Sequence, residues 1–168
     1  SPMKYIRAPI AVLAIFLIVG AIFVLRSDEK RVAESTFPET SPGPTVRVGN
    51  TTVRVSVMDT PEERQIGLSG RERLAPDEGM LFIFPEDGQY AFWMKDMRFS
   101  IDILWLSASD RPSRDGSEDG RVVYMLENVS PDTYPQSFVS SGPARYVLEL
   151  PAGFVGRNNV SLGDIVRL

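Results

Sequence analysis

From Thr45 onward, short runs that alternate apolar and polar residues are separated by clusters of Gly, Pro, Asp and Ser. This spacing constrains the fold more than any other feature, because period-two alternation places successive side chains on opposite faces of a strand. In TVRVGNTTVRVSV, valines alternate with polar residues around Gly49-Asn50, a hairpin signature. GMLFIF and QYAFWM, separated by PEDG, predict a second hairpin with a four-residue connection. FSIDILWL, RVVYMLENV and ARYVLEL predict further strands, and VSLGDIVRL a terminal pair about Gly163-Asp164. PAGFVGRNN reads as a turn or one helical turn. Polar loops are expected at 107–120 (SASDRPSRDGSEDG) and over SPDTYPQSFVSSGP. Only TPEERQIGLSG carries a clear helix signal. Thr60 suits the N-cap, Pro61 the first helical position, Glu63 completes a capping box, and Gly70 can end the helix. These elements predict a mainly β (α+β) domain, with antiparallel strands curled into a barrel-like or sandwich core and one short helix.

The segment ahead of that domain is of another kind. Ala8 to Leu25 is an 18-residue uncharged run, APIAVLAIFLIVGAIFVL. As a helix it spans about 27 Å, close to the hydrocarbon thickness of a bilayer. It passes directly into RSDEKR, with no small-residue cleavage pattern at its end. The expectation is a signal-anchor over 1–26, a flexible Ser/Thr/Pro-rich linker over 27–44 and a globular domain over 45–168. That arrangement implies a single-pass membrane protein whose domain lies on the extracytoplasmic side.

Composition removes several function classes. The chain has no cysteine and no histidine. Thiolate zinc sites, disulfide frameworks, cysteine nucleophiles and Ser-His-Asp chemistry are therefore excluded. From residue 45 onward there are 13 Lys+Arg against 18 Asp+Glu, a net of −5. Such a domain lacks the phosphate-directed field that nucleic-acid binding needs. DGSEDG half-matches a calcium loop but has Leu126 where the bidentate Glu belongs, so no metal is assigned. No cofactor fingerprint is present.

The densest stretch is FWMKDMRFSIDILW, residues 92 to 105, where Lys95, Asp96, Arg98 and Asp102 sit among aromatic and aliphatic residues. On the strand FSIDILWL, Asp102 shares its face with Leu104 and Leu106, while Phe99, Ile101, Ile103 and Trp105 share the other. Asp102 is then either a structural carboxylate, accepting backbone N–H bonds or paired with Lys95, Arg98 or Arg64, or the floor of a binding cleft. Of these, the expectation favours a cationic partner. Trp93, Trp105, Tyr90, Tyr134 and Tyr146 are candidate aromatic walls, though aromatics on strands more often pack inward.

TPEERQIGLSGRERLAPDEGMLFIFPE, FWMKDMRFSIDILWL, PARYVLELPAG and LGDIVRL, in that order from about Val53 to Leu168, resemble the family known as domain of unknown function 192. Its members are small bacterial and archaeal domains, many behind an N-terminal signal or anchor. The resemblance implies a mainly β fold with a short helix, and it carries no established activity. Ser100 stands where the family commonly has Pro, and the 107–120 loop is longer than usual. The family's charged motif positions fall on Glu63, Arg64, Arg71, Lys95 and Asp102. With Trp93 and Asp96 these are the candidate ligand-binding or structural-polar residues.

The functional expectation is a membrane-anchored binding or accessory domain for a small polar, sugar-like or envelope ligand. Two alternatives are a histidine-free hydrolase or lyase using Asp102 with Asp96 or Glu63, and a structural partner of an envelope protein. The uncharged run makes one prediction by itself. Mass spectrometry of membrane-extracted protein should recover peptides from Ala8–Leu25, whereas a mature N-terminus within 27–45 would show the run to be a cleaved signal.

Overall fold

The computed structural model of the chain describes residues 43–110 and 118–168. The predicted anchor, nearly all of the linker and the part of the 107–120 loop between 111 and 117 lie outside the described residues. Among the described residues no helix is long and apolar enough to cross a membrane.

Seven strands close a barrel in which the C-terminal strand pairs back onto the N-terminal one. The hairpin of β1 (Thr45–Val48) and β2 (Thr51–Met58) turns at Gly49, whose φ of 60° suits a residue without Cβ. β3 (Glu78–Gly88) lies parallel to β2. A parallel neighbour needs a crossover, and here it carries the helix α1 (Pro61–Ile66). The Thr60 side chain caps the Glu63 amide, and Glu63 returns a bond to the Thr60 N–H. The helix ends at Gly67, three residues before Gly70, with φ at 49°. The remaining barrel pairs are antiparallel: β8 (Ala144–Pro151) lies between β3 and β5 (Ile101–Ala108), and β6 (Asp119–Val129) lies between β5 and β9 (Ile165–Arg167).

Three local expectations change. The predicted second hairpin does not form, because both edges of β3 are taken by β2 and β8. PEDG is the end of β3 itself, within a register shift between the pairs Ile83–Tyr146 and Gly88–Ala144. β4 (Ala91–Trp93) instead forms a separate two-stranded ribbon with β7 (Ser137–Val139), which lies in a segment read as loop. At the C-terminus only β9 is a strand. The turn before it bonds to β6, through Gly163 N–H to Val122 O at 2.8 Å and Val122 N–H to Asp164 O at 2.9 Å. The 107–120 loop is shorter than expected, since Ser107 pairs with Arg121 and Ala108 with Gly120.

The core has two layers on either side of the sheet. Val46, Val53, Leu81, Leu104, Leu106, Val122, Leu148, Leu150 and Val166 fill the barrel from all seven strands. Phe154 and Val155 of the second short helix, α2 (Phe154–Asn158), join them. The outer faces of β3, β8 and β5 carry Met80, Phe82, Val147, Ile101, Ile103 and Trp105, packed with Leu68, Phe92 and Met94.

Asp102 points inward with Leu104 and is fully buried. Its partners are not Arg64, Lys95 or Arg98 but backbone amides. Oδ1 accepts from Asn128 N–H at 2.8 Å and Gly153 N–H at 3.1 Å, and Oδ2 from Val155 N–H at 2.8 Å. Between the pairs Ile101–Val129 and Ile103–Leu126, Asp102 faces two residues, Glu127 and Asn128, so β6 bulges there. Asn128 and Gly153 both hold positive φ, at 52° and 75°. One carboxylate therefore fixes the bulge, the turn out of β8 and the start of α2. An Asp102→Asn change keeps the shape but turns an NH2 group toward one of these donors. It should cost roughly 2–4 kcal/mol in denaturant unfolding, against little change for the exposed Asp110→Asn; equal stabilities would remove Asp102 from this role.

Candidate functional site

The ribbon β4–β7 and α1 stand over the outer face of the barrel, and between α1 and β4 lies a cleft of about 350 Å³. Period-two alternation on β3 sends Phe82 and Phe84 outward into it, and β4 with its flanks adds Tyr90, Ala91, Phe92 and Trp93. The aromatic walls interlock. Phe82 meets Phe92 edge-on at 4.9 Å, Phe84 stacks on Tyr90 at 3.5 Å, and Trp105 braces Phe92 from behind at 5.8 Å. Trp105 is itself held by its indole N–H to Tyr90 O at 3.2 Å. Gly67 lies at the end of α1, where a Cβ would come within 3.3 Å of the Phe82 ring.

Glu149 also lines this cleft. It belongs to the central strand β8, opposite Met80 on one side and Ile103 on the other. Its residue is 5% exposed, and the described residues offer Oε2 no hydrogen-bond partner. Buried polar groups are nearly always paired. Burial pushes the Glu149 pKa up to about 8, with no neighbouring charge contributing to the shift. At neutral pH this carboxyl is mostly protonated, a neutral donor and acceptor set among aromatic rings. Among the described residues it is also the sole carboxylate in the cleft wall.

Of the residues singled out from the sequence, Arg64, Tyr90 and Trp93 reach the cleft. Arg64 Nη1 donates to Asp59 O at 2.6 Å and Ile83 O at 2.8 Å, and its guanidinium lies 5.0 Å from the centre of the Phe84 ring. It clamps α1 to β3. Trp93 is 49% exposed on the rim. Glu63 is taken up by the capping box. Lys95 and Asp96 are exposed on a turn whose carbonyls accept from Ser69 Oγ at 3.0 Å and Gly70 N–H at 2.9 Å. Arg71 is exposed beside a different depression, with Arg54 and Glu78. Asp102 faces the barrel interior, on the other side of the sheet from Glu149. The sequence reading missed Glu149. Its one signal is an acid inside VLEL, an otherwise apolar run.

Burial of Glu149 makes stability depend on pH. The folded pKa of about 8 exceeds the unfolded value of 4.5, so the folded state retains a proton that the unfolded chain releases between those limits. Stability should therefore fall as pH rises from about 4.5 to 8 and level off above, at up to roughly 1.4 kcal/mol per unit. With no histidine or cysteine in the chain, no other side-chain type ordinarily titrates between pH 6 and 8. Denaturant midpoints at pH 5.5, 7 and 8.5 should show this slope in the wild type and its loss in Glu149→Gln. The same slope in both proteins would refute the assignment.

Comparison with known proteins places this architecture. No curated protein matches the chain. A supposed transcription regulator from Sinorhizobium meliloti, known as a crystal structure, is 34% identical, with a TM-score of 0.63 over 73% of this chain and 90% of its own. A protein of unknown function from Novosphingobium aromaticivorans is 26% identical, with a TM-score of 0.64 over 74% of this chain and 84% of its own. Residues 44–168 match the family described as DUF192, uncharacterized ACR, beginning nine residues before the span recognised in the motifs. The chain belongs to the domain of unknown function 192 family.

Proposed function

We propose that this protein is a membrane-tethered, extracytoplasmic binding domain that takes a small molecule with a polar group into the cleft between α1 and β4. The observation that carries the reading is Glu149, an acid with no partner among the described residues at an aromatic-walled cleft. The volume lies within the range of small-molecule sites, which are mostly apolar with a few placed polar groups. The uncharged run Ala8–Leu25 supports the tether.

Binding is favoured over hydrolysis or lysis because the carboxylates do not converge. Asp102 has both oxygens engaged by backbone amides, Glu63 caps α1, and among the described residues Glu149 has no second acid beside it in the cleft. Two-carboxylate catalysis needs two acids flanking one substrate. A partner-protein role draws on the exposed Ile66 and Trp93 at the cleft rim, which suit a docked side chain. The Sinorhizobium neighbour's description does not carry over to DNA binding, since this domain's net charge of −5 supplies no attraction for phosphates.

A thermal-shift screen of small fragments on the full chain tests the reading, because a ligand specific for the folded state raises the melting temperature by mass action. Hits should move the NMR signal of the Trp93 indole and disappear in Ala91→Trp, which fills the cleft from an exposed position on β4. Hits that survive Ala91→Trp unchanged would place binding elsewhere.

A further inference from the structure

Which ligand chemistry suits the cleft follows from what its walls can and cannot offer. Arg64 is the charged side chain that α1 brings, and its Nη1 is committed to two carbonyls. Tyr90 donates its hydroxyl to Glu86 O at 2.7 Å, away from Glu149. β3 faces Glu149 with Met80 and Phe82, and β5 with Ile103. Lys95 and Asp96, on the turn after β4, are exposed. No cation or hydrogen-bond donor of the described residues reaches Glu149 Oε2. A ligand must therefore bring its own donor. A sugar would bring several hydroxyls, and the aromatic walls would leave most of them unpaired at a cost for each. An ammonium group brings charge and donors at one point, and aromatic faces attract it further.

We infer that the cleft is a receptor for a protonated amine attached to an apolar or aromatic body, with the ammonium paired to the Glu149 carboxylate and the body between Phe84, Phe92 and Trp93. The inference rests on the cleft being the binding site. Pairing requires Glu149 to give up its proton to solvent as the ammonium arrives, so one proton is released for each amine bound while Glu149 is protonated in the free protein. The sign follows. Amine affinity rises with pH until Glu149 is ionised without ligand, near pH 8, and is flat above that until the amine itself loses its proton. A neutral ligand that used the protonated acid would show the reverse.

Calorimetric titration of the full chain with 2-phenylethylamine and with its neutral counterpart 2-phenylethanol, at pH 6, 7 and 8, distinguishes these outcomes. Amine affinity should rise by about tenfold from pH 6 to 7 and about fivefold from 7 to 8, with proton release falling to about half a proton at pH 8, read from the dependence of the heat on buffer ionisation. The alcohol should show no rise, and Glu149→Gln should lose both the pH rise and the preference for the amine. Because the wild-type pH profile is itself decisive, the test stands even if the variant folds poorly. Equal affinities for amine and alcohol at every pH would overturn the inference while leaving the cleft as a binding site. So would failure of both probes while uncharged fragments occupy the cleft. Failure of both, with no fragment lost in Ala91→Trp, would overturn the inference and the binding reading together.

Discussion

Strands β5 and β8 bury two acids one register step apart and on opposite faces of the sheet, and the treatment of those acids organises the molecule. Asp102 pairs in register with Leu150 and turns into the barrel, where three backbone amides receive it. Glu149 pairs in register with Ile103 and turns outward beneath the aromatic layer, where Oε2 meets no donor of the described residues. Amides from three separate segments bond both oxygens of Asp102, whereas burial without donors favours the neutral form of Glu149. Asp102 can therefore hold the β6 bulge, the β8 turn and α2 together as a rigid frame. That frame in turn fixes Glu149 in the wall of the cleft, where no donor of the described residues reaches its Oε2.

The α1 wall of the cleft is held more lightly than the barrel beneath it. α1 buries none of its residues. It is tied down by the Arg64 bonds to Asp59 and Ile83, while the segment after it is tied by Ser69 and Gly70 to the carbonyls of Lys95 and Asp96. Few buried apolar contacts and exposed polar bonds mark a region that opens at low free energy. The FWMKDM motif thus acts through its backbone at Lys95 and Asp96, and through Phe92 and Met94 in the core. Its charged side chains point to solvent, which resolves how an apolar stretch accommodates them.

Much of the fold was legible because its signals are local. The Gly49-Asn50 hairpin, the Thr60–Glu63 capping box and the alternation that puts Asp102 with Leu104 and Leu106 all follow from neighbours in sequence. Pairings between distant segments were not legible. Nothing local says that β2 and β8 occupy both edges of β3, so the expected hairpin through PEDG gave way to a ribbon between β4 and a strand some 45 residues later. Glu149 was hidden for a related reason. In ARYVLEL, Arg145 and Glu149 alternate with Tyr146, Leu148 and Leu150 as on a solvated strand face, and only the covering layer of Phe82, Phe92, Leu68 and Met94 turns that face into an interior. Asp102 was anticipated as a structural acid, but its donors lie on backbone at Asn128, Gly153 and Val155, where residue type carries no trace of them.

The central claim is that the fold buries Glu149 in the cleft wall with no partner among the described residues, and a carbon-13 NMR titration of its side-chain carboxyl tests it most directly. The account predicts a carboxyl that remains protonated at pH 6.5 and titrates around pH 8. A Glu149 midpoint near the ordinary 4.5 would contradict it, showing that water or a cation reaches the group in the free protein.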